Sequence, residues 1–84
     1  MNRPVYEIAQ EIRRTWKPKK ARPGEVYYAA EPYLQAMECM RQVEDNYGYD
    51  KGSSIVIYFL SNATTWRGAD AKRIKKELKA LLED

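Results

Sequence analysis

The chain has 84 residues and a mass of 9.9 kDa, room for one small domain over residues 1–84. Leu, Ile, Val and Phe supply only 15 of those residues, a composition at the edge of disorder, but seven Tyr, three Met and two Trp restore apolar volume, and a net charge of +3 is too small to hold the chain open. The lack of His beside a single Cys excludes a disulfide framework, the common zinc sites and Ser-His or Cys-His catalytic pairs. With no apolar run near ~18 residues and no signal-like apolar core, the expectation is a protein of a reducing cytoplasm, with no cofactor, metal or membrane partner.

The first predicted element is a helix from about Arg3 to Trp16, with Val5, Ile8, Ala9, Ile12 and Trp16 on one stripe, Asn2 as cap and Pro4 in the first turn. Lys17 precedes Pro18 and is steered out of the helical region, which ends the helix. Residues 17–30 read as a connection turned by Pro23-Gly24, with Glu25–Ala30 a candidate extended piece. A second helix starts at Glu31-Pro32 and carries Tyr33, Ala36, Met37, Met40, Val43 and Tyr47 at helical spacing. Cys39 falls within it as a small, semi-buried hydrophobe. Asn46–Gly52 is then a loop with Gly48 and Gly52 free to take positive φ.

The run Ile55-Val-Ile-Tyr-Phe-Leu60 fits either a buried strand or a helix buried all round. Ser53 or Ser54 as N-cap and the continuation Ser61-Asn62-Ala63 favour the helix; the alternative is a short two-stranded sheet of 25–30 with 55–60. A final helix places Ala71, Ile74, Leu78, Leu81 and Leu82 on its apolar stripe and lysines around the remainder, with Thr64 or Thr65 as cap. The expected fold is all-α: about four helices, the short central one wrapped by three amphipathic ones.

The segment Tyr47-Gly48-Tyr49-Asp50 through Ser54–Ala63, followed by Thr65-Trp66-Arg67-Gly68 and a basic helix ending Glu77–Leu82, resembles small proteins encoded by tailed bacteriophages and prophages, a family of unassigned function, with a weaker echo at Tyr27–Met37. The resemblance carries no catalytic or binding residue over. It implies an accessory protein of the host bacterial cytoplasm, many of which act by binding a host protein, including components of defence systems.

Charge is uneven: residues 1–24 carry a net +5, residues 25–50 a net −5 and residues 51–84 a net +3. An acidic middle between basic ends can neutralise itself within the fold or between copies, so a homodimer fits the pattern. Two basic surfaces are candidates for nucleic-acid binding: Arg13, Arg14, Lys17, Lys19, Lys20 and Arg22 around Trp16, and the last helix with Lys72, Lys75, Lys76 and Lys79. Each also reads as a solvated face, with Trp16 as core. The aromatic candidates for a partner-binding patch are Tyr27, Tyr28, Tyr47, Tyr49 and Trp66 with Arg67, because Tyr, Trp and Arg dominate interface centres. Against that, a Leu-poor chain uses Tyr as core filler, and Trp66 can seal a corner.

Gly48-Tyr-Asp-Lys-Gly52-Ser-Ser54 lacks the glycine spacing and Gly-Lys-Ser/Thr ending of a phosphate loop, and no acidic pair is set by sequence for acid–base work. The leading expectation is a non-enzymatic phage-type protein that binds and inhibits a host protein. The alternatives are a nucleic-acid-binding module and a sponge for nucleotide signals.

Overall fold

The computed structural model describes residues 3–19, 21–48 and 50–83, with Tyr47 described by its backbone. Helix α1 spans Val5–Thr15 and buries Val5, Ile8, Ala9 and Ile12, the stripe its spacing predicts. It starts later than expected because Pro4 stands at the N-cap in extended conformation, φ −61° and ψ 149°, rather than in the first turn; the expected cap Asn2 lies outside the described residues. The first two donors of the helix are satisfied by main chain instead. Val5 N–H donates to the Arg41 carbonyl and Tyr6 N–H to the Met40 carbonyl, each at 2.9 Å. At the other end Trp16 leaves the helix with φ −88° and ψ 104° and turns its ring into the core.

Residues 27–30 form a turn, Ala30 N–H donating to the Tyr27 carbonyl at 2.9 Å, so the extended piece expected over 25–30 does not form. Helix α2 follows at once over Glu31–Met37, with Pro32 in its first turn. The expectation that it continues to Tyr47 is corrected. The N–H groups of Cys39 and Met40 bond three residues back, to Ala36 and Met37, at 3.0 and 3.1 Å, and the Asp45 carboxylate takes the N–H groups of Arg41 and Gln42 at 2.9 and 3.2 Å. These local bonds compete with the helical ladder. They also turn the Met40 and Arg41 carbonyls toward α1. Met40 and Val43 remain buried, so a helix-like spacing is satisfied by an irregular segment, while Cys39 is exposed rather than semi-buried.

Residues Asn46–Tyr47 (β1) and Asp50–Lys51 (β2) form an antiparallel ribbon, Asn46 opposite Lys51 and Tyr47 opposite Asp50, where a loop was expected. Gly48 takes the left-handed conformation, φ 64°, that this reversal needs. Gly52 serves a different need: a Cβ there would lie 2.5 Å from Met40 Cε, 2.7 Å from Asp45 O and 2.8 Å from Val43 O. Its N–H donates to Asp45 O at 2.6 Å.

Helix α3 spans Gly52–Ser61, its N-cap Lys51 rather than either serine. Helix α4 spans Ala69–Leu82. Its N-cap is Gly68 at φ 112°; Thr64 and Thr65 are exposed and do not cap it, and Gly68 has nothing close enough for a Cβ to meet. Over the described residues the fold is thus a small all-α bundle of four helices with a minimal strand pair. Helix α3 packs chiefly against α2, while α1 contacts both α2 and α4. Phe59 of α3 is fully buried and meets Trp16 edge-on at 6.1 Å, and Trp16 stacks on Trp66 at 5.4 Å with planes 13° apart. Such aromatic pairs contribute about 0.5–1.5 kcal/mol each beyond the area they bury.

Candidate functional site

Helix α3 is not buried all round, which corrects the expectation for its apolar run. Ile55, Val56 and Phe59 face the core, but Ile57 is 49% exposed and Tyr58 48% exposed. With 3.6 residues per turn, Ile57 and Tyr58 share a face with Ser54 and Ser61, one turn before and one turn after. The sequence carried that signal: an apolar pair bracketed by serines at i−3/i−4 and i+3/i+4 faces water. Across the α2–α3 seam the half-buried Tyr33 ring lies 5.6 Å from that of Tyr58, so Tyr33 adjoins the Ile57–Tyr58 face, which Ser54, Ser61 and Asn62 flank along the chain.

The residues named from sequence for a partner patch differ in exposure. Tyr27 and Tyr28 are exposed, Tyr28 at 79%, with rings 4.9 Å apart. Among the described residues, ring contacts link Tyr27 and Tyr28 only to each other. Tyr47 lies in β1, its side chain outside the description, and Tyr49 lies outside the described residues altogether. Arg67 is exposed, but Trp66 is only 4% exposed and forms the structural corner instead of a contact surface. Trp16 likewise is core, 5% exposed.

The basic segment after α1 is divided in the same way. Arg13 is half-buried and committed inward: its guanidinium donates to both carboxylate oxygens of Glu31 and of Glu38, at 2.5–3.0 Å, and to the Gly24 carbonyl at 2.7 Å. Hydrogen bonding by Glu31 and then Glu38 raises its pKa further above an already high value. Arg13 therefore ties α1 to the start and end of α2 and to the loop between them, and is corrected from a phosphate contact to a structural clamp. Arg14, Lys17, Lys19 and Arg22 are exposed, and Lys20 lies outside the described residues. Arg14, Lys17 and Arg22 border a shallow groove of about 580 Å³.

A second cluster joins α1 to α4. Arg3 binds Glu77 at 2.8 Å and Glu11 at 2.5 Å, while Arg73 binds Glu11 at 2.7 Å and Asp70 at 3.2 Å. Hydrogen bonds from Arg73 and then Arg3 lower the Glu11 carboxyl to about 2. Among the described residues, three arginines and five carboxylates are engaged in ion pairs. What stays outside those pairs is more basic than the formal net charge.

The lysine face of α4 holds the rest of that charge. Lys72, Lys76 and Lys79 are exposed and line, with Lys75, Ala80 and Glu83, a groove of about 470 Å³. Lys75 is half-buried; its ammonium donates to the Trp66 carbonyl at 2.7 Å and lies 5.9 Å from the centre of the Trp66 ring. Burial pushes the Lys75 pKa down, and the nearby charges of Lys79 and Arg67 push it the same way.

Among the described residues, no group of three His, Cys, Asp or Glu side chains is placed to hold a metal ion, and no helix is long and apolar enough to cross a membrane. Comparison with protein-family models, with curated proteins and with solved structures finds no match to this chain.

Proposed function

We propose that this chain is a non-enzymatic accessory protein of the phage type that acts in the bacterial cytoplasm by binding a host protein through the Ile57–Tyr58 ridge of α3, inhibiting the partner. The observation that carries this reading is the pair of large side chains left half exposed on a helix whose other face is core, with Tyr33 packed against them. An aromatic and aliphatic centre inside a polar rim is the anatomy of an interface, and Tyr is among the residues that dominate binding energy there. Half-exposed side chains on one helix face fit a partner with an apolar groove that takes a helix, with an acceptor at its edge for the Tyr58 hydroxyl. A second copy is a poorer occupant. Two half-exposed side chains with Tyr33 beside them are a small patch against the ~800 Å² that a stable pair buries on each side, and each copy carries the same net charge of +3.

The test uses the whole chain as bait in nuclease-treated host lysate, followed by titration calorimetry with the purified partner. One protein retained at 1:1 by the native chain, and lost to an Ile57→Ser/Tyr58→Ser variant that melts normally, supports the reading. Equal retention by that variant overturns it. So does a native homodimer that the same variant dissolves.

A further inference from the structure

We propose that the Lys72–Lys76–Lys79 face of α4, with Arg67 near Lys75, is a second binding surface that holds the phosphate backbone of duplex nucleic acid without reading its bases. The three lysines project from a helix that rises 1.5 Å per residue, so they span about 10 Å, enough to meet successive phosphates of one strand. The helix has its own acids, but two of them are turned away from this face. Asp70 is held by Arg73 at 3.2 Å and Glu77 by Arg3 at 2.8 Å, which leaves Glu83 as the sole carboxylate among the described residues lining the groove.

The loop groove differs. Arg13, on its wall, is neutralised by Glu31 and Glu38, and Glu25 accepts the Arg22 N–H at 3.3 Å. That leaves Arg14, Lys17 and Arg22 as the cations of the loop groove outside the ion pairs among the described residues, against four lysines lining the α4 groove. Lys75 reports the field there: beyond burial, its proton is disfavoured by two cations, Lys79 and Arg67.

The same face decides the mode and the partner. Its aromatic ring, Trp66, is buried beneath Lys75 and cannot stack on a base. The apolar side of α4 is turned to the core, Ala71, Ile74 and Leu78 buried and Leu81 and Leu82 partly so, and the described lining of the lysine groove holds no large apolar side chain to insert into a membrane or fill a pocket on an acidic protein. Point charges without anchors suit a polyphosphate.

Binding of a labelled random-sequence DNA duplex to the full chain, followed by fluorescence anisotropy across a salt series, tests the proposal. Each phosphate neutralised adds about −0.9 to the slope of log K against log salt, so four cations give a slope of about −4. Lys72→Gln/Lys76→Gln/Lys79→Gln should reduce its magnitude by about 3, and Lys72→Gln alone by about 1, with melting unchanged. No binding at low salt, or a triple variant with the native slope, overturns the proposal. It is equally overturned if Arg14→Gln/Lys17→Gln/Arg22→Gln abolishes the slope instead. Polyglutamate or anionic vesicles displacing the duplex at equal charge would reassign the face to acidic proteins or to lipid. The aromatic ridge takes no part in this test, so Ile57→Ser/Tyr58→Ser should leave the slope intact.

Discussion

Replacing Gly52 by Ala tests whether space, rather than backbone conformation, dictates a glycine at the ribbon–helix junction. The added methyl would meet three atoms under 3.0 Å, and two of them, Asp45 O and Val43 O, are main-chain carbonyls that cannot swing aside as Met40 Cε can. One of those carbonyls also accepts the Gly52 N–H at 2.6 Å, so relief of the clash stretches that bond. Overpacking a tight site costs about 1–3 kcal/mol, and the contact with backbone puts this case at the upper end. The helix preference of Ala over Gly, about 1 kcal/mol in a helix interior, offsets at most that much at this first position of α3. The net expectation is a loss of about 2 kcal/mol, or roughly 8–16 °C in melting temperature for a domain of this size. Thermal melts followed by far-UV circular dichroism read it directly, and adding Met40→Ala to the variant recovers little, because the carbonyls remain. A Gly52→Ala protein as stable as the native one, or one restored by the Met40 change, would refute the reasoning.

Arg13→Met should cost about 1–2 kcal/mol in urea denaturation, since it strands Glu31, Glu38 and the Gly24 carbonyl at a partly solvated site. Arg13→Lys should recover little of that, because a single ammonium cannot reproduce the fork to two carboxylates. The Glu11 carboxyl sits at about 2 in the fold against an ordinary 4.5. Its contribution is therefore complete above about pH 5 and is lost as pH falls from the ordinary value through the folded one. Solvent screening limits it to about 1 kcal/mol, and urea midpoints at neutral and acid pH should show Glu11→Gln losing less than the native chain over that window. Phe59→Ala should destabilise by about 3–5 kcal/mol, whereas Ile57→Ser on the exposed face should stay within about 0.5 kcal/mol; comparable losses in chemical denaturation would contradict the assigned orientation of α3.

Helical periodicity located α1 and α4 because each has one apolar stripe and one charged face, and Pro18 marks the end of α1, whereas the start of α4 falls at Gly68 and not at the expected Thr64 or Thr65. The same reasoning overextended α2. Met40 and Val43 fall at helical spacing, yet the bonds of Asp45 to two backbone N–H groups and the reach of the Met40 and Arg41 carbonyls to α1 are tertiary choices that a local pattern does not encode. For α3 the length of the apolar run hid its direction, although Ser54 and Ser61 marked the wet side. Trp66 illustrates the limit for candidate sites. Residue type alone nominated it for an interface, but its partner in the core, Trp16, is fifty positions away in the chain. The fate of Arg13 was equally hidden, since its basic neighbours in sequence are exposed while its carboxylates come from α2.

The main-chain cap on α1 has a consequence for the order in which the molecule can assemble. Val5 and Tyr6 find their acceptors at Arg41 and Met40, some 35 residues downstream. On the ribosome, the first turn of α1 is made well before the carbonyls that complete it exist. The nascent helix must rely on water at that end until the segment after α2 has been synthesised and folded back. At Arg41, whose side chain is exposed, a substitution leaves the carbonyl in place, so that half of the joint tolerates sequence drift that a side-chain cap would not.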